Sequence, residues 1–251
     1  MAHFQHECIL GKYKYMKRYI LKEYGSWGVM TISYLAGIFA GGGFNLKAIL
    51  SLLAISLFIN SKQAFTFWIR HIDSVKSSAV FMTQIISASF IMVSISGEAV
   101  FKLLPYALIP AIYILLLYFA GEHAIMTEIC GFALLTLSSL MAKFVTTGAI
   151  DHRLYIAVAV FFTASVFKVK LQLKSVHGSR FTVHGQRVSM ILYVAFAVFA
   201  YYLIRMPVVI LLPLIDNVIF SLTLYKLKLK ATGWIEVIKG VAFLALIALF
   251  S

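Results

Sequence analysis

Few residues in this sequence have the types and spacing for chemistry, and most of them sit at the edges of apolar runs. Val176-His177-Gly178-Ser179-Arg180 is echoed seven residues later by Val183-His184-Gly185-Gln186-Arg187. Each unit offers an arginine fork, a titratable imidazole and a glycine that lets backbone N–H groups approach an anion, which is what a phosphate site needs. The same residues also read as turn glycines and topology-setting charges in a solvated loop. Inside an apolar run an ionisable side chain costs about 2.5 to 3.5 kcal/mol at a helix centre, so each needs a partner or a role. Asp216-Asn217 falls in the middle of one run and Glu128 toward the cytoplasmic end of another. Asp216 fits function and interhelical packing equally well, and the sequence names no partner for it. Glu236 and Lys239, spaced i, i+3, read as a self-neutralising pair on one helix face.

Other chemistries lack their residues. None of the seven histidines, at 3, 6, 71, 123, 152, 177 and 184, lies mid-run, so no haem is expected between facing helices. Two distant cysteines, Cys8 and Cys130, and scattered histidines lack zinc-ligand spacing, and no disulfide is expected. No metal or other cofactor is expected. Gly41-Gly42-Gly43 has neither Rossmann nor P-loop form, because no strand precedes it and no GK[ST] follows. Gly37 and Gly41 form a small-xxx-small spacing that points to close helix packing.

The elements that must position these residues follow from composition. Of 251 residues 62% are hydrophobic and 12% charged, with mean hydropathy +0.94. A soluble domain carries about 45 to 50% apolar and about 25% charged residues, so the bilayer is the solvent that fits. The net charge of +13 then reads as topology signals and headgroup contacts rather than nucleic-acid binding. A membrane helix needs roughly 20 mostly apolar residues, and nine such runs are expected. They are Trp27 to Phe44, Leu46 to Ile69, Ser78 to Ser96, Leu103 to Ala120, Ala124 to Ala142, Leu154 to Phe167, Val188 to Ile204, Met206 to Tyr225 and Gly233 to Phe250. The second is interrupted by Asn60-Ser61-Lys62-Gln63, which could end its membrane part near Ile59. Residues 1–26 form a basic cytoplasmic lead-in without a signal-peptide core, and 27–251 form one all-α transmembrane domain. Lys and Arg gather in cytoplasmic loops. With the N-terminus inside, 16 of the 22 basic residues fall on the cytoplasmic side and 5 outside, with Lys239 in the last run, which predicts the C-terminus outside the cell membrane.

Lys22-Glu23-Tyr24-Gly25-Ser26-Trp27-Gly28-Val29-Met30 resembles the K-E-H-G-A-W-A-M opening of the YwiC-like bacterial membrane family. Gly233-Trp234-Ile235-Glu236-Val237 is similar to that family's G-x-x-E segment, and the basic end of the sixth run is similar too. Tyr24 stands in place of the family's His, which removes any acid–base role there. The family in turn looks like the UbiA-type prenyltransferases, and the resemblance implies nine helices and a site in the cytoplasmic loops after spans two and six. Those enzymes hold Mg²⁺ on aspartate-rich motifs in these loops. Here the equivalent stretches, Asn60 to Ser77 and Lys168 to Arg187, contain Asp73 as their sole carboxylate. Metal-bridged diphosphate binding needs several oxygen ligands, whereas Arg and Lys neutralise a phosphate directly.

The leading expectation is therefore a UbiA-like bundle that binds an isoprenoid or lipid phosphate at its cytoplasmic face, as a metal-independent or degenerate prenyltransferase-like protein. Lys62, Arg70, His177, Arg180, His184 and Arg187 would be the anion ligands, with Asp216 or Glu128 as base if transfer occurs. Membrane lipids are the expected partners. Two other classes fit the same residues. One is a small-solute transporter built on Asp216 beside Pro207 and Pro213; the other is a non-catalytic membrane subunit or assembly factor.

Overall fold

Runs of Leu, Ile, Val, Phe and Ala can satisfy their backbone N–H and C=O groups locally only as helix, and the chain does so throughout. The computed structural model describes residues 19, 21–177, 180–224 and 229–250, except the side chains of 176–177, 180–182 and 229–230. Cys8, the basic residues of 1–18, and Lys226 and Lys228 lie outside the described residues. Among the described residues there is no strand, and the elements are α1 (Tyr24–Ala40), α2 (Leu46–Ile69), α3 (Ser74–Ser96), a 3₁₀ stretch (Gly97–Ala107), α4 (Leu108–Ala120), α5 (Ile125–Thr147), α6 (His152–His177), α7 (Arg180–Leu203), a second 3₁₀ stretch (Val208–Leu214), α8 (Ile215–Thr223) and α9 (Leu229–Phe250). Six helical stretches among them are long and apolar enough to cross a membrane: Leu46–Ile69, Ser74–Ala120, Ile125–Thr147, His152–Ser175, Val183–Leu203 and Ala231–Phe250.

The chain divides into two compact units, residues 1–24 with 46–100, and residues 25–45 with 101–251. In the first, α2 runs unbroken through the polar interruption read from the sequence. Three of its polar residues have partners: Asn60 Oδ1 accepts the Leu21 N–H at 2.9 Å, Ser61 donates to the Phe58 carbonyl at 2.6 Å, and Lys62 pairs with Glu23 at 3.0 Å. Phe65, Trp68 and Phe81 stack α2 against α3, with Phe65 and Phe81 5.2 Å apart. The linker is only residues 70–73, so the expected loop from Asn60 to Ser77 is largely helix.

In the second unit α6 is the axis. Of its most apolar stretch 61% is buried, against 22% for α7 and for α9. Its residues Leu154, Ala157, Phe161 and Ala164 meet Ile32 and Ala36 of α1, Ala197 and Tyr201 of α7, Ile210 and Leu214, and Phe243 of α9. Phe161 and Phe243 stack with ring centres 3.9 Å apart. α1 lies so close to α5 that a Cβ at Gly37 would stand 2.1 Å from the Ser139 carbonyl oxygen, and one at Gly41 would stand 2.1 Å from Thr146 Oγ1. The small-xxx-small spacing is thus a helix contact.

Candidate functional site

α6, α8 and α9 meet around four charges. Lys168 of α6 donates to Asp216 of α8 and, at 2.9 Å, to Glu236 Oε1 of α9. Lys239, one turn along α9, donates to the same glutamate oxygen at 2.8 Å and to Asn217 Oδ1, and its Nζ is 3.7 Å from Asp216 Oδ2. Ser165 donates to Glu236 Oε2 at 2.5 Å, and the Phe220 ring centre is 5.8 Å from the Lys168 ammonium, within cation–π range. Glu236 and Lys239 do pair, but not in isolation: Lys168 and Asp216 close the pair into a neutral network.

The helix pattern explains why a lysine is here. Leu154, Ala157, Phe161, Ala164, Lys168 and Leu171 follow one another at spacings of three and four, and all are buried. Lys168 continues this stripe and is fully enclosed, so it belongs to the interior of α6 and not to a cytoplasmic loop. Lys170, two residues on and about 200° round the helix, faces the other way and pairs with Glu128 of α5 at 3.0 Å. Asp216 is placed by a change of helix type. Pro213 lacks an N–H and sits inside a 3₁₀ stretch, after which the chain relaxes into the wider α8 with Asp216 in the first turn.

A groove of about 550 Å³ reaches this network. Its walls are Leu212, Pro213, Ile238, Ala242, Ala245 and Leu246, and its polar end is formed by Asp216 and Lys239. Asn217, itself fully buried, gives its Oδ1 to Lys239 while its Nδ2 donors have no acceptor. An enclosed donor left unmatched is costly.

The other residues singled out from the sequence are distributed differently. Lys62 is held by Glu23 in the first unit, and Arg70 is exposed at the end of α2. His177 ends α6 and Arg180 begins α7, with side chains outside the described residues. His184 is exposed on α7, and Arg187 is half-buried with an enclosed Nε that has no partner. Gly185 lies inside α7, so its N–H is not free to cradle an anion as the loop reading expected. Among the described residues no three His, Cys, Asp or Glu side chains gather as metal ligands would.

At the α5–α6 junction, Asp151 pairs with Lys143 at 2.6 Å, and its Oδ1 accepts the Leu154 N–H at 3.0 Å, capping α6. Burial pushes its carboxyl up, but the Lys143 hydrogen bond, the Leu154 N–H and the lysine charge together hold it below the usual range. His152 beside it contacts the Tyr106 hydroxyl through Nδ1.

No family model, curated protein or solved structure matches this chain.

Proposed function

We propose that the chain is a nine-pass, UbiA-like membrane protein, N-terminus cytoplasmic and C-terminus outside, that binds a phosphate head group carried on an isoprenoid or lipid chain. The observation that carries the reading is the groove of apolar walls that ends on Asp216 and Lys239. Such a cleft fits a molecule with one greasy part and one charged end. The Lys239 ammonium stands at that end with Asp216, and the positive charge of the protein favours an anion. The stretch Ser74–Ala120, which at 47 residues is over twice the roughly 20 needed for one crossing, makes seven passes of the six long stretches, and α1 at 17 residues with the shorter apolar helix Val208–Thr223 would complete nine. Gly97, at φ +56, and Pro105 fall within Ser74–Ala120. Lys168, Asp216 and Glu236 each lie roughly 10 to 14 Å along their helices from the ends at the basic segments, a depth suited to a head group drawn in from the cytoplasmic leaflet.

The test is a titration of farnesyl diphosphate into the protein in phosphatidylcholine nanodiscs, with and without EDTA. Wild type should bind in both. Ala242→Phe, which fills the groove, and Lys239→Met should weaken binding roughly ten- to a hundredfold, the scale of one charge-assisted contact. No binding by wild type, or wild-type affinity in Ala242→Phe, overturns the reading. A transporter is the second reading, favoured by the helix break at Pro213 beside Asp216. In it the same groove would admit a small polar solute, and labelled solute would accumulate in proteoliposomes.

A further inference from the structure

Among the described residues the network holds two ammonium groups and two carboxylates, whose charges sum to zero before any ligand arrives. An anion that enters the groove and contacts Lys239 competes with the carboxylates paired to it and leaves the enclosed network with net negative charge. A low-dielectric surrounding opposes such an imbalance, and the simplest neutral outcome is that a carboxylate takes up a proton. The two carboxylates are not equivalent. Glu236 is bound by both lysines and by Ser165, and it does not line the groove. Asp216 lines the groove, contacts Lys168 and stands at 3.7 Å from Lys239. Among the described residues the charged groups facing it are Lys168 from α6, and Lys239 and Glu236 from α9. The 3₁₀ stretch before it carries no titratable side chain. The α7 tyrosines 193 and 201 give their hydroxyls to the Val160 and Ala157 carbonyls of α6.

We infer that Asp216 is a proton-binding site coupled to the ligand site, so that the groove takes up one anionic head group and one proton together. This inference rests on the proposed ligand reading. The exchange balances. The pair between Lys239 and the Asp216 carboxylate, one proton from water and one singly charged phosphodiester become a Lys239–phosphodiester pair and a neutral Asp216 carboxyl. That carboxyl becomes a hydrogen-bond donor to the head group it admitted.

The probe is a phosphodiester whose single charge does not change between about pH 5 and 9, so that any titration belongs to the protein. Farnesyl methyl phosphate and dioleoyl phosphatidylglycerol serve as separate arms, which distinguishes an isoprenoid from a membrane phospholipid as the source of the head group. Affinity is measured from about pH 6 to 8 in phosphatidylcholine nanodiscs. Proton uptake is counted calorimetrically in two buffers of different ionisation enthalpy. The expected result for wild type is about one proton taken up per ligand and affinity falling about tenfold per pH unit. Asp216→Asn, neutral at every pH, should bind at least as tightly with a flat pH profile and no proton uptake. If that variant does not fold, the wild-type proton count decides alone. Wild-type binding with no proton uptake overturns the coupling and leaves the ligand reading standing. Absence of binding in both arms removes the ligand reading, and the coupling with it.

Discussion

Lys62 and Lys168 make the same ion pair, an ammonium about 3 Å from a glutamate oxygen, in two very different settings. Lys62 and Glu23 are partly exposed, with side-chain exposures of 26% and 46%. Lys168 is 0% exposed and bound to two carboxylates on two other helices. An exposed pair contributes about 0 to 1 kcal/mol, because water screens it and ordering two long side chains costs entropy. A buried charge that loses its partner costs about 3 to 5 kcal/mol. Identical residue chemistry thus fastens a surface in one place and commits three helices to one arrangement in the other.

The largest effect should come from Lys168→Met, which leaves Asp216 and Glu236 sharing Lys239. A loss of about 3 to 5 kcal/mol in stability in detergent is expected, against at most about 1 kcal/mol for Lys62→Met. Equal losses in a chemical-denaturation series would erase the contrast. Charge balance sharpens it: Lys168→Met with Asp216→Asn leaves the Lys239–Glu236 pair neutral, so the double variant should recover about 1 to 3 kcal/mol of the single variant's loss. Strict additivity in the cycle would show that the four charges do not act as a network.

Next in size is the α1–α5 contact. Gly37→Ala drives its new carbon into the Ser139 carbonyl and should cost about 1 to 3 kcal/mol, whereas a Cβ at Gly28 meets nothing within 4 Å and Gly28→Ala should be neutral or slightly stabilising. Similar melting temperatures for the two variants would count against the close packing.

The smallest effect concerns Asp151. Its carboxyl titrates below the value of an unfolded chain, so the pair with Lys143 and the cap of α6 contribute stability above the unfolded value near 4 and lose it as pH falls through the lower folded value. Wild type should exceed Asp151→Asn in stability at neutral pH, and the gap should close on acidification below about pH 4. A gap that widens with acid would reverse the sign.

The helices were legible because each apolar run is long enough to bury its own backbone, and both helices around Gly37 and the Glu236–Lys239 spacing could be read directly. The network was not. Lys168 was assigned to a loop because hydropathy falls at Phe167. The three-and-four spacing of Leu154, Ala157, Phe161, Ala164 and Leu171 carries the buried face of α6 past it, a signal in the sequence that hydropathy alone passes over. Asp216 gave away its depth but not its partner, since a contact across 48 residues is set by how helices pack and leaves no local trace. The echo around Gly185 misled for the opposite reason: a glycine and an arginine suggest a turn, yet flanking apolar residues kept the segment helical.

The site's location can be tested most directly by photo-crosslinking with a diazirine-bearing farnesyl diphosphate in nanodiscs, followed by peptide mapping. The account predicts label on the groove walls, at Leu212 and Pro213 and between Ile238 and Leu246, competed by unlabelled farnesyl diphosphate and lost in Ala242→Phe. Competed label concentrated instead around His184 and Arg187, with none on α9, would contradict it and return the site to the basic segment at the start of α7.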